Sequence, residues 1–447
     1  MSSIHIKNAR IINEGRDFKG DIFIKDEYIV AAGNTDNITI PHDALVIEAG
    51  GLILIPGIID DHVHFRDPGL THKGDIHSES AAAVAGGVTS FMDMPNTKPQ
   101  TITVSLLDEK FRNASEKSFI NYSFYIGATN TNIDEIMKAD PAHVCGIKLF
   151  MGSSTGNMLV DEERTLRELF ANAAIPVVAH CEDEGIIRKN SDLYRNKYGN
   201  DVPVSMHPGI RSREACYTSS FHAVNLAREF NTRLHILHLS TADELKLFRN
   251  DIPLEEKRIT AEVCVHHLWF EESAYEILGT LVKCNPAVKT AYDRDALQKA
   301  LNNDIIDVVA TDHAPHTLEE KKNTYFNAPS GGPFIQHSLQ AMLELWHRNI
   351  IGISKIAELM CHNPSRLFNI NKRGFIREGY KADLCLIDPS RPYTVTKDNI
   401  LYKCGWSPLE GTTFSSTIVK TIVNGTVVWD EGNINKNFRG QQLDFTR

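Results

Sequence analysis

The stretch IPGIIDDHVHFRDPG, from Ile55 to Gly69, ends an apolar run in two acids, two histidines one residue apart, and an arginine. On an extended segment His62 and His64 project to the same side, and neutral imidazoles at that spacing suit a divalent metal such as zinc. A single His-x-His pair is weak evidence, because histidine also serves as a hydrogen-bonded core or surface residue. Other runs strengthen it: Asn96 in MPNTKP, Lys148 in CGIKLFM, His180 in VVAHCE, His238 in LHLS and Asp312 in ATDHA all lie within or just beyond apolar segments. Four histidines and an aspartate delivered by several strand ends to one place make a metal centre by mutual consistency.

Other side chains in these runs are assigned differently. His235 and His238 have opposite parity, so one of them faces the site, and His238 is nearer the strand end. His266 and His267 read as packing or supporting residues. Cys181 and Cys264 border ligand positions and read as small buried groups. Lys148 is the odd member, since an ammonium has no lone pair. Its apolar setting makes a buried charge costly. A lysine so placed has a lowered pKa and can act as an amine nucleophile. Reaction with carbon dioxide would give an anionic carbamate with two oxygens to bridge two metals.

The elements that must position these groups follow from patterning. Eight apolar runs alternate with helical stretches such as DEERTLRELFANA: GLILIPGIID, GVTSFMDM, INYSFYIGA, VCGIKLFM, IPVVAHCE, TRLHILHLS, RITAEVCVH and IDVVATDHA. That order favours parallel βα units and an α/β fold, a (β/α)8 TIM barrel of about 250 residues before insertions. No Gly-rich dinucleotide fingerprint follows the first run, which disfavours a doubly wound open sheet. In a barrel the strand carboxyl ends meet on one face, so residues distant in sequence converge there. Arg66 shares the parity of His64 if the first strand continues that far. His316 follows the eighth strand, which neighbours the first. Alternating residues at both chain ends, with Asn424-Gly425 as a hairpin turn, predict a small β-sandwich domain built from residues 1–56 and 374–447 around a barrel of 57–373.

Composition bounds the partners. The 447 residues carry 57 acids against 47 Lys and Arg, a net charge of −10, which argues against nucleic acid. An anionic substrate would depend on local cations. The eight cysteines include no C-x-x-C pair, and neither a signal peptide nor a membrane span is evident. A cytoplasmic location is expected.

The stretches DDHVHFRDPG, MPNTKPQ, GIKLFM, VVAHCED, LHLSTADE, KCNPAVKT and ATDHAPHTLEEK closely resemble the dihydroorotases of the amidohydrolase superfamily, over most of the chain. The resemblance implies reversible cyclisation of N-carbamoyl-L-aspartate to L-dihydroorotate in pyrimidine biosynthesis, using a water activated by two zinc ions per subunit. It implies His62, His64 and Asp312 on one zinc, His180 and His238 on the other, and carboxylated Lys148 bridging them. Asp312 would act as general base and then acid. Arg66, Asn96 and His316 match positions that hold the substrate carboxylate, and Asn285 matches another substrate contact. A homodimer is the family-based expectation. Where many relatives carry G-x-x-G-x-E-T after ATDHAPH, this chain reads SGGPFIQHSLQ, with Gly332 and Pro333 as candidates for backbone contacts.

The rival readings are a hydantoinase, dihydropyrimidinase or allantoinase, whose substrates lack a ring carboxylate at this position, and a non-catalytic relative acting as a partner protein. Arg66 and His316 favour the carboxylate reading. The complete ligand set disfavours the non-catalytic one.

Overall fold

The alternating segments at the two ends of the chain resolve into one mixed sheet. In the computed structural model, which describes residues 3–35, 38–152 and 158–447, the N-terminal segment supplies β1 (Ser3–Asn13), β2 (Arg16–Lys25), β3 (Tyr28–Gly33), β4 (Leu45–Glu48) and β5 (Ile53–Pro56). The middle of the chain follows with β6 (Ile58–Val63), β7 (Val88–Asp93), β8 (Asn121–Gly127), β9 (Gly146–Phe150), β10 (Val177–His180), β11 (Leu234–Ile236), β12 (Ile259–Cys264) and β13 (Val308–Ala310). The C-terminal segment adds β14 (Leu384–Asp388), a separate ribbon of β15 (Tyr393–Thr394) and β16 (Thr413–Phe414), then β17 (Thr417–Val423), β18 (Thr426–Asp430) and β19 (Asn433–Ile434).

The two ends meet where β14 pairs antiparallel with β5. Inward-facing Ile6, Ile11, Ile22, Leu54, Leu384 and Leu386 form a core of their own, and each such side chain contributes about 1.5–3 kcal/mol when fully buried. Asn424 and Gly425 turn β17 into β18 with φ of 46° and 69°, the left-handed pair that suits a tight hairpin.

Strands β6 to β13 run parallel in chain order as an eight-stranded sheet. It curls towards closure through a parallel bridge between Val63 and His313 and a 2.7 Å bond from the His64 amide to the His313 carbonyl. This is the barrel that patterning predicts. At its opposite end Leu443 and Phe445 pack on Tyr125 and Phe368, and Arg447 donates to the carbonyls of Val144 and Cys145, so the chain's tail covers that floor. Among the described residues no helix is long and apolar enough to cross a membrane.

One expectation changes. GLILIPGIID is not one strand but two, β5 in the terminal sheet and β6 in the barrel. Both are buried throughout, so hydrophobicity carries no mark of the switch. The change of sheet falls at Gly57, whose amide donates to the Asp383 carbonyl at 2.8 Å. A Cβ there would lie 2.2 Å from Thr89 Oγ1 and 2.3 Å from its Cγ2.

The Gly57→Ala variant should therefore lose about 1–3 kcal/mol through overpacking, read as a lowered midpoint in chemical denaturation. Adding Thr89→Ala should recover part of that loss. Equal midpoints for wild type and Gly57→Ala would show that the junction has slack.

Candidate metal centre and anion site

The strand carboxyl ends surround a cavity of about 270 Å³ whose lining includes all ten residues singled out by sequence: His62, His64, Arg66, Asn96, Lys148, His180, His238, Asn285, Asp312 and His316. His62 lies in β6 with His64 just beyond it, Lys148 is within β9, and His180 ends β10. His238 and Asp312 each sit two residues past their strands, with φ of 41° and 45°. Left-handed backbone at a residue with a side chain costs about 1–3 kcal/mol and persists where the surroundings enforce it.

Three donor atoms converge at one point. His62 Nε2 lies 3.2 Å and His64 Nε2 3.0 Å from the same oxygen, Asp312 Oδ1. The opposite nitrogens are committed elsewhere: His62 Nδ1 donates to Glu262 Oε1 at 3.0 Å, and His64 Nδ1 donates to Asn96 Oδ1 at 2.6 Å. With both protons on Nδ1, both Nε2 atoms present lone pairs towards a carboxylate. Such an arrangement fits a divalent cation. Burial opposes charge on His62, yet Glu262 and Asp312 raise its pKa; the carboxylates favour positive charge here. Burial lowers His64 to about 4.

A second donor pair stands beside the first. His180 Nδ1 and His238 Nε2 are 2.9 Å apart, and the rings of His62 and His238 are centred 5.3 Å apart. His180 Nε2 faces Glu182 Oε2 at 3.1 Å, and Arg211 pairs with that carboxylate. Burial lowers the pKa of both His180 and His238, leaving neutral imidazoles with lone pairs to offer. Lys148 is 1% exposed, with Nζ 4.6 Å from the centre of the Phe150 ring. Among the described residues no carboxylate forms an ion pair with it. Burial brings its pKa to about 8, partly opposed by Asp312 and Glu262.

The far wall has the opposite character. Arg66 is 7% exposed; its Nε donates to the Pro315 carbonyl at 3.0 Å and its Nη2 lies 3.1 Å from His316 Nε2. Among the described residues it has no carboxylate partner. His316 Nδ1 accepts from Lys73 at 3.0 Å, while Nε2 donates to the Ser330 carbonyl at 3.0 Å. Burial, with Arg66, Lys73 and Lys321 nearby, holds His316 well below its usual range. Asn285 Oδ1 is buried without a hydrogen-bond partner among the described residues. A buried guanidinium facing a cavity is equipped to receive an anion, and the unpaired Asn285 oxygen to accept from an N–H beside it.

Several details differ from the sequence reading. Arg66 does not continue the strand parity of His64: β6 ends at Val63, and Arg66 reaches the cavity from a loop with φ of 67°. Asn96 spends its carboxamide oxygen on His64, so it orients an imidazole as well as lining the cavity. Pro329, Ser330 and Gly331 line the wall where Gly332 and Pro333 were expected. His235, in agreement with the choice of His238, turns away from the cavity and bonds Thr260 at 2.8 Å. Sequence reasoning missed Glu262, whose Oε1 also accepts from the His238 amide at 2.9 Å. An acid in the midst of ITAEVC, a run otherwise suited to burial, was the available signal.

The sequence pattern of the amidohydrolase family matches residues 53–428. The chain is similar to the dihydroorotase of Methanosarcina acetivorans, 32% identical over 99% of this chain and 96% of that protein. It is likewise similar to the dihydroorotase of Pyrococcus abyssi, at 30% identity over 97% of each. Among solved structures it resembles the L-hydantoinase (dihydropyrimidinase) of Arthrobacter aurescens, with a TM-score of 0.93, 27% identity and coverage of 99% and 100%. The dihydropyrimidinase of Brevibacillus agri shares the fold, with a TM-score of 0.88 at 23% identity over the full length of both chains.

Glu262 touches both donor sets, through the His62 ring and the His238 amide. Both bonds end on one oxygen, Oε1, so Glu262→Gln keeps the shape and an acceptor but removes the negative charge that polarises the His62 ring. Divalent-metal retention should fall about 10- to 100-fold, measured as metal content after dialysis against graded chelator. Retention equal to wild type would remove Glu262 from this role.

Proposed function

Because the chain belongs to the amidohydrolase family and is a cyclic amide hydrolase, we propose that its ring substrate carries a carboxylate, and that it interconverts N-carbamoyl-L-aspartate and L-dihydroorotate in pyrimidine synthesis. The observation that carries this reading is Arg66, a buried guanidinium on the cavity wall with no acid partner among the described residues. A substrate carboxylate supplies that partner. The similarity to dihydroorotases supports the same substrate, and the likeness to an L-hydantoinase keeps a carboxylate-free cyclic amide as the second reading.

On this proposal residues 57–373 form the catalytic unit. His62, His64 and Asp312, whose donor atoms converge, would hold one zinc, and His180 and His238 beside them would hold the other. Lys148, as a carbamate, would be an anionic ligand for the ions; its depressed pKa favours the neutral amine that adds to carbon dioxide with loss of a proton. When bound, the pair of ions would supply Lewis acidity for the ring carbonyl and make water a usable nucleophile. In the hydrolytic direction Asp312 accepts the proton of the attacking water and returns it to the departing amide nitrogen. Arg66 and His316 bind and orient the carboxylate, and Asn285 donates or accepts at the ring amide. Cyclisation reverses the proton path.

The substrate is tested with Arg66→Ala. A buried charge-assisted hydrogen bond is worth about 1.5–3 kcal/mol, so affinity for dihydroorotate should fall about tenfold or more. Turnover of dihydrouracil, which has the ring and no carboxylate, should be poor in both proteins and little changed. Equal wild-type efficiency on both rings, with equal losses on mutation, would favour the dihydropyrimidinase reading.

For the bridge, Lys148→Ala should lose at least one metal and nearly all activity, with partial rescue by short carboxylic acids. Lys148→Arg should fail as well, since a guanidinium stays charged and cannot ligate. A crystal structure with two metals and an unmodified amine at Lys148 would contradict the carbamate.

A further inference from the structure

The cavity wall formed by Pro329, Ser330 and Gly331 belongs to an irregular segment after His316, with no helix or strand from Thr324 to Ser330. Two buried lysines hold it. Lys321, 0% exposed, directs Nζ at three carbonyls: Lys283 at 3.1 Å, Pro329 at 2.9 Å and Gly331 at 2.8 Å. An ammonium has three donors, and all three are used. Lys283 donates from Nζ to the Tyr325 and Ala328 carbonyls, each at 2.6 Å. Its own carbonyl accepts from the Gly331 amide at 2.9 Å. Neither lysine forms an ion pair with a carboxylate among the described residues. A buried amine without an acid is costly, and these two direct their donors at the carbonyls of one segment.

Their role follows from what lies at the end of the segment. The Ser330 carbonyl, between the clamped Pro329 and Gly331 carbonyls, accepts from His316 Nε2, and that ring touches Arg66. Fixing Ser330 fixes the His316 ring and leaves Nδ1 as acceptor for Lys73. Backbone freedom is also limited at Gly331, whose φ is 124° and where a Cβ would lie 2.7 Å from the Ala314 carbonyl.

We infer that Lys321 and Lys283 are positioning residues for the anion side of the cavity: they clamp the 325–331 segment by its carbonyls, and through Ser330 they set the His316–Arg66 pair that receives the substrate carboxylate. The functional half of this inference rests on the proposed substrate. The clamp itself does not.

The test combines hydrogen–deuterium exchange with kinetics on the intact, metal-loaded protein, comparing wild type with Lys321→Met. Met keeps the length and removes every donor. Amides of 325–331 should exchange about tenfold faster or more, with the barrel strands unchanged, metal content unchanged, and KM for dihydroorotate raised about tenfold with little loss of kcat. Unchanged exchange in this segment overturns the clamp. So does faster exchange spread over the whole barrel, or a loss of kcat at constant KM, since either outcome marks Lys321 as a general stabiliser. If Lys321→Met does not fold, Lys283→Met, which frees only the Tyr325 and Ala328 carbonyls, is judged by the same exchange criterion. A wild type inactive on dihydroorotate would defeat the substrate reading alone, and exchange at 325–331 would still decide the clamp.

Discussion

Electron-rich atoms brought together away from water must be matched by positive charge, and the barrel interior is organised around that requirement. It meets the requirement differently in two layers. In the lower layer protons suffice. Burial pushes Asp60 up to about 8, and its carboxyl accepts from Thr311. Against burial, Asp61 and Glu262 push His235 up to about 9, and its Nε2 lies 3.3 Å from Asp61. In the upper layer His64 and His238 are held far below their usual range, so protons are resisted on those rings, while Glu262 and Asp312 raise His62 and favour positive charge beside them. A cation with open coordination positions satisfies that layer without protonating it. The layers meet at Glu262, which bonds a ring that faces the site and lies 3.8 Å from the ring that does not.

The opposite wall solves the mirror problem. Arg66, Lys283 and Lys321 are buried donors whose hydrogen-bond contacts among the described residues are carbonyls and an imidazole, none of them a carboxylate, and burial lowers Lys283 to about 7 and Lys321 to about 8. One side of the cavity thus favours positive charge and the other favours negative charge, across about 270 Å³. A small ring with a carboxylate at one edge and an amide at the other can satisfy both walls in one orientation. Since the whole chain carries −10, long-range attraction does not favour an anion. Selection must occur through contacts made inside the cavity.

Much of this was legible because barrel geometry turns strand ends into neighbours. Knowing only that apolar runs end in His62, His180 and Asp312 suffices to place them together. What was not legible depends on backbone torsion or on residues whose type hides their role. Pro56-Gly57 looks like a ripple in one buried strand, because both sheets demand the same apolar side chains. Arg66 reaches the cavity through a left-handed backbone that period-2 parity cannot express. Lys321 reads as one charge in the LEEK helix start, and its three carbonyl partners come from segments that no local pattern connects. Asn96 reads as a substrate donor, and nothing local shows that its oxygen also holds His64 while its NH2 still lines the cavity.

Closure of the barrel and assembly of the donor set are the same structural event. The first and last strands meet through the Val63–His313 bridge, the His64 amide on the His313 carbonyl, and Thr311 on Asp60. His313 is pinned from outside by Glu79 at 2.8 Å, from the helix Ile76–Ala85. This seam brings the His62 and His64 rings, from one side, to Asp312 on the other. An ion held by all three would stabilise the closed barrel in proportion to its affinity, since an open seam separates its ligands. The reverse also holds: packing at the seam presets donor distances before any ion arrives. The left-handed φ of Asp312 belongs to that arrangement, because it turns the carboxylate back from the last strand onto the histidines of the first.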